Sequence, residues 1–257
     1  MDYIKLIENK IKQIETQERI CVLFNNLSAD TNIYAYKEND VIVSASIIKV
    51  PIMLAILDFI LHNNISLDTI IKINSDDILY DNRCFNNKYQ FSIEELLTWM
   101  ITLSDNSSTN VLIKYLGFDK INNYFKQIEL FDTKLERYML DDIATKNGRN
   151  NYTSLNDIYK CFKYIIDKQI LNDTYCELAL NILYKQKSNN QINRYLNIKF
   201  AHKTGELDYL NSDTGIFVLD NETYFIGIST YNTPSIYGDK VNVGKLGKLF
   251  YKYINNN

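Results

Sequence analysis

The order of residue patterns predicts an α+β fold: an antiparallel sheet flanked by N- and C-terminal helices, with an inserted all-α domain. Three observations predict it. Short β-branched and aromatic runs occur early, at 20-ICVLFNN-26, 32-NIYAYK-37 and 41-VIV-43, and again late, at 214-TGIFVLD-220 and 224-YFIGIST-230. Between them, from Ser46 to about Tyr184, apolar residues recur at helical spacing. Both ends of the chain are also helical in pattern. The implied division is a sheet domain of residues 1–45 and 197–257 and a helical domain of 46–196, with the site in the cleft between them.

Each element has a local reason. Ile4, Ile7, Ile11 and Ile14 alternate steps of three and four, which makes one helix face. The early strands are separated by Asp and Asn turn signals and read as a meander. Helices follow at 47–61, 92–101, 108–117, 119–128, 154–166 and 173–183. Ser92 with Glu95, and Ser154 with Asp157, have capping-box spacing. The runs 214–220 and 224–230 read as a hairpin, and 242-NVGKLGKLFYKYI-254 closes the chain as a helix.

Composition removes several functions. A net charge of −3 and a pI near 5.5 give no electrostatic footprint for nucleic acid. Cys21, Cys84, Cys161 and Cys176 form no C-x-x-C or Cys/His cluster, so they read as reduced thiols and no metal is expected. Val50 to Leu57 is the most apolar stretch, but Asp58 ends it short of the ~20 residues of a membrane span. Acids interrupt the first helix, so it is not a signal peptide. The chain as it stands is expected to be a cytoplasmic monomer acting on a small molecule without a cofactor, or a secreted one if a leader precedes it.

Chemistry is carried by three short motifs in order: 46-SIIK-49, 104-SDN-106 and 203-KTG-205. Singly each is weak. A helix N-terminus would surround Ser46 with unpaired N–H groups, and the three-residue step puts Lys49 on the same face, within reach of its hydroxyl. Lys49 leads an apolar helix, where a charged ammonium is costly, so its pKa should fall and let it take the Ser46 proton. Rival schemes lack parts: no G-x-S-x-G elbow exists, and His62 and His202 are the only imidazoles.

Together, in this order, the motifs resemble those of the penicillin-recognising serine enzymes, most closely the class A β-lactamases. The likeness extends to 95-ELLTWMITLSDNSSTNVLI-113, to 133-TKLER-137 at the entry to the omega loop, and to 202-HKTGE-206 on the inner strand. It implies Ser46 as nucleophile, Lys49 as part of its base with Lys203 as the neighbouring cation, and Ser104 as relay to the leaving nitrogen. Asn106 would face both Lys49 and the substrate amide. Lys203 and Thr204 would bind the substrate carboxylate, with Gly205 allowing close approach. The oxyanion hole would be the backbone N–H groups of Ser46 and Glu206.

Two departures matter. The family's omega-loop pattern, Arg-aromatic-Glu-Pro-x-Leu-Asn, becomes 137-RYMLDDI-143, with Met139 at the water-activating Glu, Leu140 at the Pro and Ile143 at the Asn. Asp141 would serve as a substitute base if the loop is shifted; the commoner role of a loop aspartate is a cap or salt-bridge partner. Glu206, where the family commonly has a small or hydroxyl residue, would repel a carboxylate or pair with Lys203. The resemblance thus implies an acyl-enzyme on Ser46 formed from a β-lactam or related amide or ester, with weak deacylation. The alternatives are a peptidoglycan-type peptidase or esterase of the same superfamily, and a sensor-like protein that acylates without turnover.

Overall fold

The computed structural model describes residues 2–232 and 236–256, with backbone alone for 236–239. Helix α1 (Tyr3–Ile14) is followed by strands β1 (Arg19–Asn26), β2 (Thr31–Tyr36) and β3 (Ile42–Val43). A 3-10 turn at Ala45–Ile48 leads into α2 (Lys49–His62). Then come β4 (Ile70–Lys72), β5 (Gln90–Ser92), α3 (Ile93–Thr102), α4 (Asn106–Leu116), α5 (Phe118–Gln127), α6 (Asp142–Lys146), β6 (Tyr152–Thr153), α7 (Leu155–Asp167) and α8 (Asp173–Tyr184). Strands β7 (Ala201–Leu207), β8 (Leu210–Leu219) and β9 (Glu222–Tyr231) precede the closing helix α9 (Ile236–Ile254).

The main sheet has the order β2-β1-β9-β8-β7 with every pairing antiparallel, so the two ends of the chain meet at β1 and β9. Alternation along β1 explains its unbroken apolar run. Ile20, Val22 and Phe24 face one core with Ile7, Ile11 and Ile14 of α1 and Leu246 and Phe250 of α9. Cys21 and Leu23 face the other, larger core shared with the helical block. There Phe225 of β9 meets Tyr159 and Phe162 of α7, with ring centroids 5.3 and 5.6 Å away.

Helix α2 is apolar on all sides because it is central: every residue from Lys49 to Leu57 is buried, and α3, α4, α5, α7 and α8 pack around it. The stretch Ala45–His62 is long and apolar enough to cross a membrane, yet it is mostly enclosed by the protein. Helix α3 starts with the expected reciprocal box, Glu95 N–H to Ser92 Oγ at 3.1 Å and Ser92 N–H to Glu95 Oε2 at 2.8 Å. At α7 the box is only half made. Ser154 Oγ accepts from Asp157 N–H, but the Asp157 carboxylate accepts from Asp132 N–H and the Thr133 hydroxyl instead.

Two expectations are corrected. Strand β3 does not extend the meander; it leaves the sheet and pairs with β6, Ile42 opposite Thr153 and Val43 opposite Tyr152, and Ser44 N–H donates to Asn151 O at 2.9 Å. This ties the segment before Ser46 to the loop that carries Met139. The inserted block is also not purely helical, since β4 and β5 form a ribbon that the sequence pattern did not reveal. The four cysteines are free thiols, as expected.

Candidate active site

Ser46 lies in the 3-10 turn one residue-turn ahead of α2, half-buried, on a cleft of about 270 Å³. That turn is strained: Ala45 has φ +43°, a left-handed conformation that an alanine adopts at a cost of order 1–3 kcal/mol. Strand β7 runs against it. A Cβ at Gly205 would sit 3.2 Å from Ala45 Cβ, Ile47 Cγ2 and Ser44 O, so glycine lets the strand edge lie close beside the Ser46 turn without displacing it. Glu206, next along that strand, lines the same cleft.

Lys49 is fully buried at the base of this site. Its Nζ donates to Ser104 O at 2.8 Å, Ser104 Oγ at 3.2 Å and Asn106 Oδ1 at 2.8 Å. Ser46 is not among these partners, so accepting its proton requires Nζ to release one of them. Lys203, equally buried, donates to Ser104 Oγ at 3.0 Å and Thr204 O at 2.7 Å. Ser104 can meet both lysines because it sits at φ +55°, in the loop between α3 and α4. Burial first, and then the Lys203 charge, hold Lys49 well below the ordinary lysine range. Burial also lowers Lys203, to about 7, against the opposing pull of Asp213 and Glu206.

Asp213 belongs to a buried pair behind the strand: its Oδ1 is 2.8 Å from His202 Nδ1, and its Oδ2 accepts from Ile192 N–H at 3.0 Å. The SDN triplet is a helix start rather than an ordinary turn. Asp105 caps α4 through Ser108 N–H and also accepts from Asn82 Nδ2, while Ser107 Oγ accepts from Leu79 N–H. These bonds fasten the 74–89 segment over the site and bring Asp81 to Asn106, whose Nδ2 donates to Asp81 Oδ2 at 2.8 Å. The Met139 loop is held the same way. Asn110 clamps the Met139 backbone through N–H and C=O, and Asn151 clamps 136–137.

The cleft gathers Ser46, Asn106, Met139 and Glu206, with Lys49, Ser104 and Lys203 forming the hydrogen-bonded chain beneath Asn106. Asp141 is placed elsewhere. It caps α6, accepting from Ala144 N–H at 2.9 Å, and lines a different groove with Phe118 and Arg149, so from that position it does not supply the missing base. Glu206 does not pair with Lys203; it pairs with Lys240 at 2.6 Å and accepts from Gln191 Nε2. Ile143, at the family's Asn position, is 75% exposed and points away from the cleft lining. Sequence reasoning missed Asp81, Asn110, Asn151 and Lys240. Each is an ordinary polar residue in a turn or helix, with no spacing signal to single it out.

A sequence model of the β-lactamase enzyme family matches residues 6–254. Curated relatives include β-lactamase VEB-1 of Pseudomonas aeruginosa, 25% identical over 81% of this chain and 76% of the relative, and β-lactamase BRO-1 of Moraxella catarrhalis, 25% identical over 87% and 75%. Among solved structures, a class A β-lactamase of Bacteroides cellulosilyticus superposes with a TM-score of 0.88 at 19% identity, covering all of both chains. PBP-A superposes with a TM-score of 0.87 at 22% identity over 98% and 97% of the two chains, and a mutant of it has been solved as an acyl-enzyme complex with penicillin G. With the S-x-x-K, SDN and KTG elements brought to one cleft and the family match spanning nearly the whole length, the chain belongs to the β-lactamase enzyme family.

Proposed function

We propose that the protein is a class A-like serine hydrolase in which Ser46 Oγ attacks the carbonyl carbon of a β-lactam or related amide or ester. The C–N or C–O bond of the substrate breaks, an ester to Ser46 forms, and the Ser46 proton passes to neutral Lys49 Nζ. Ser104 Oγ, hydrogen-bonded to both lysines, relays a proton to the leaving nitrogen. The backbone N–H groups of Ser46 and Glu206 stabilise the oxyanion, and Lys203 with Thr204 holds a substrate carboxylate. The observation that carries this reading is the buried chain Lys49–Ser104–Lys203 against the cleft that Ser46 lines.

The second half of the cycle is weak in this reading. Met139, 7% exposed, presents a thioether where a carboxylate would activate water, and Asp141 faces another groove. Losing a positioned base removes about 10²–10⁴-fold of rate, so the ester to Ser46 should accumulate. The same residue favours as second reading a protein that acylates and stays acylated. A chromogenic cephalosporin followed by intact-mass analysis separates the two: a burst then slow turnover supports the hydrolase, and an adduct stable for hours supports the binder. Absence of any adduct that Ser46→Ala would abolish contradicts both.

A further inference from the structure

Asn106 offers its amide nitrogen to the wrong partner for a carbonyl-binding site. Its Oδ1 is held by Lys49 and its Nδ2 donates to Asp81 Oδ2 at 2.8 Å. The donor proposed to face the substrate's amide is therefore already taken, and by a carboxylate. A substrate carbonyl that displaced it would face Asp81 acceptor to acceptor. Asp81 also remains short of partners: its Oδ1 is buried without a hydrogen bond. Among the described lining residues acids outnumber cations: Asp142 and Asp208 line the mouth, and Arg137, the cation, has its guanidinium held within its loop by the neutral acceptors Asn150 Oδ1 and Tyr138 O.

We infer that this cleft selects acyl donors whose side chain carries a protonated amine beside its amide, with Asp81 as the residue that determines the preference. The inference rests on the acylation reading above and adds the substrate class to it. Asn106 lines the cleft and Asp81 lies behind it, so an ammonium, which supplies donors instead of acceptors, pairs with the Asp81 carboxylate on reaching past Asn106. Lys49, which also feels the Asp81 charge, is shared by every substrate and does not discriminate among them.

Benzylpenicillin and ampicillin form a matched pair, since they differ by one α-amino group. Second-order acylation constants measured by intact mass at pH about 6.5 should favour ampicillin by about fivefold, the effect of one solvent-screened ion pair. The preference should fall towards parity at pH about 9, above the α-amino range of about 7.7–8.0. In Asp81→Asn the preference should vanish at both pH values and benzylpenicillin should react faster than with the wild type. Equal constants in the wild type at the lower pH, or a preference retained in folded Asp81→Asn, overturn the inference; the wild-type pH comparison decides it if that variant does not fold. Failure of both penicillins to form an adduct overturns the acylation reading and this inference with it, which distinguishes the two failures.

Discussion

Two buried lysine side chains share one hydroxyl, with Lys203 Nζ 3.0 Å and Lys49 Nζ 3.2 Å from Ser104 Oγ. Their opposite duties set a pH profile. Lys49 must be neutral to take a proton, so acylation rises as pH climbs through its lowered pKa. Lys203 must be charged to hold a carboxylate, so capture by the free protein falls as pH passes about 7. The apparent second-order acylation constant should be bell-shaped, while at saturating substrate the falling limb should move upward because the bound carboxylate favours the ammonium. Lys49→Arg should form no adduct, since a guanidinium keeps its proton. Stability follows the same charges. With Lys203 at about 7 when folded and 10.5 as the ordinary value, the unfolded chain holds the extra proton in that window. Stability should therefore rise with pH from about 7 to about 10.5 relative to Lys203→Met, and urea midpoints of the two proteins across that range check the sign.

The turn before α2 and the strand edge of β7 position the nucleophile together. Gly205→Ala would push a methyl to within 3.2 Å of Ala45, Ile47 and the Ser44 carbonyl. Neighbours must yield by a few tenths of an ångström, and those neighbours are the residues flanking Ser46. The expected result is an acylation rate lowered by less than the ~10²-fold that a misplacement of about 1 Å costs, with a small loss of thermal stability. Asn110→Ala removes both bonds that hold the Met139 backbone and should cost about 1–3 kcal/mol in denaturant unfolding. Much at this scale was legible in the sequence. The isoleucine stripe of α1, the Ser92–Glu95 box and the late hairpin all follow local patterns, and local patterns are what a sequence displays. What was not legible depends on residues far apart. β3 pairs with β6 more than a hundred positions away, and Asp81 reaches Asn106 only because Asn82 and Leu79 are bound to the start of α4. Asp141 takes the capping role that a loop aspartate commonly has, its carboxylate accepting from Ala144 N–H at the start of α6.

At the scale of the whole molecule, an N- and C-terminal sheet and an inserted helical block meet along one cleft, which Ser46, Asn106 and Glu206 line, with Lys49, Ser104 and Lys203 bonded beneath Asn106. The part that differs is Met139. Replacing it with Glu puts a carboxylate on the cleft wall and should accelerate loss of the adduct by at least about 10-fold, with about 10²–10⁴ as the full effect of a well-positioned base. Ile143→Asn should add nothing to that variant, because residue 143 faces solvent. The central claim is that Ser46 is acylated readily and released slowly. Rapid-mixing kinetics with a chromogenic cephalosporin, paired with intact mass on the same samples, tests it most directly. About one equivalent of product is expected in a burst, with a matching mass increase mapped to Ser46 and absent in Ser46→Ala, and a slow phase that outlasts the burst. Steady turnover with no burst and no adduct, or labelling that persists in Ser46→Ala, would contradict it.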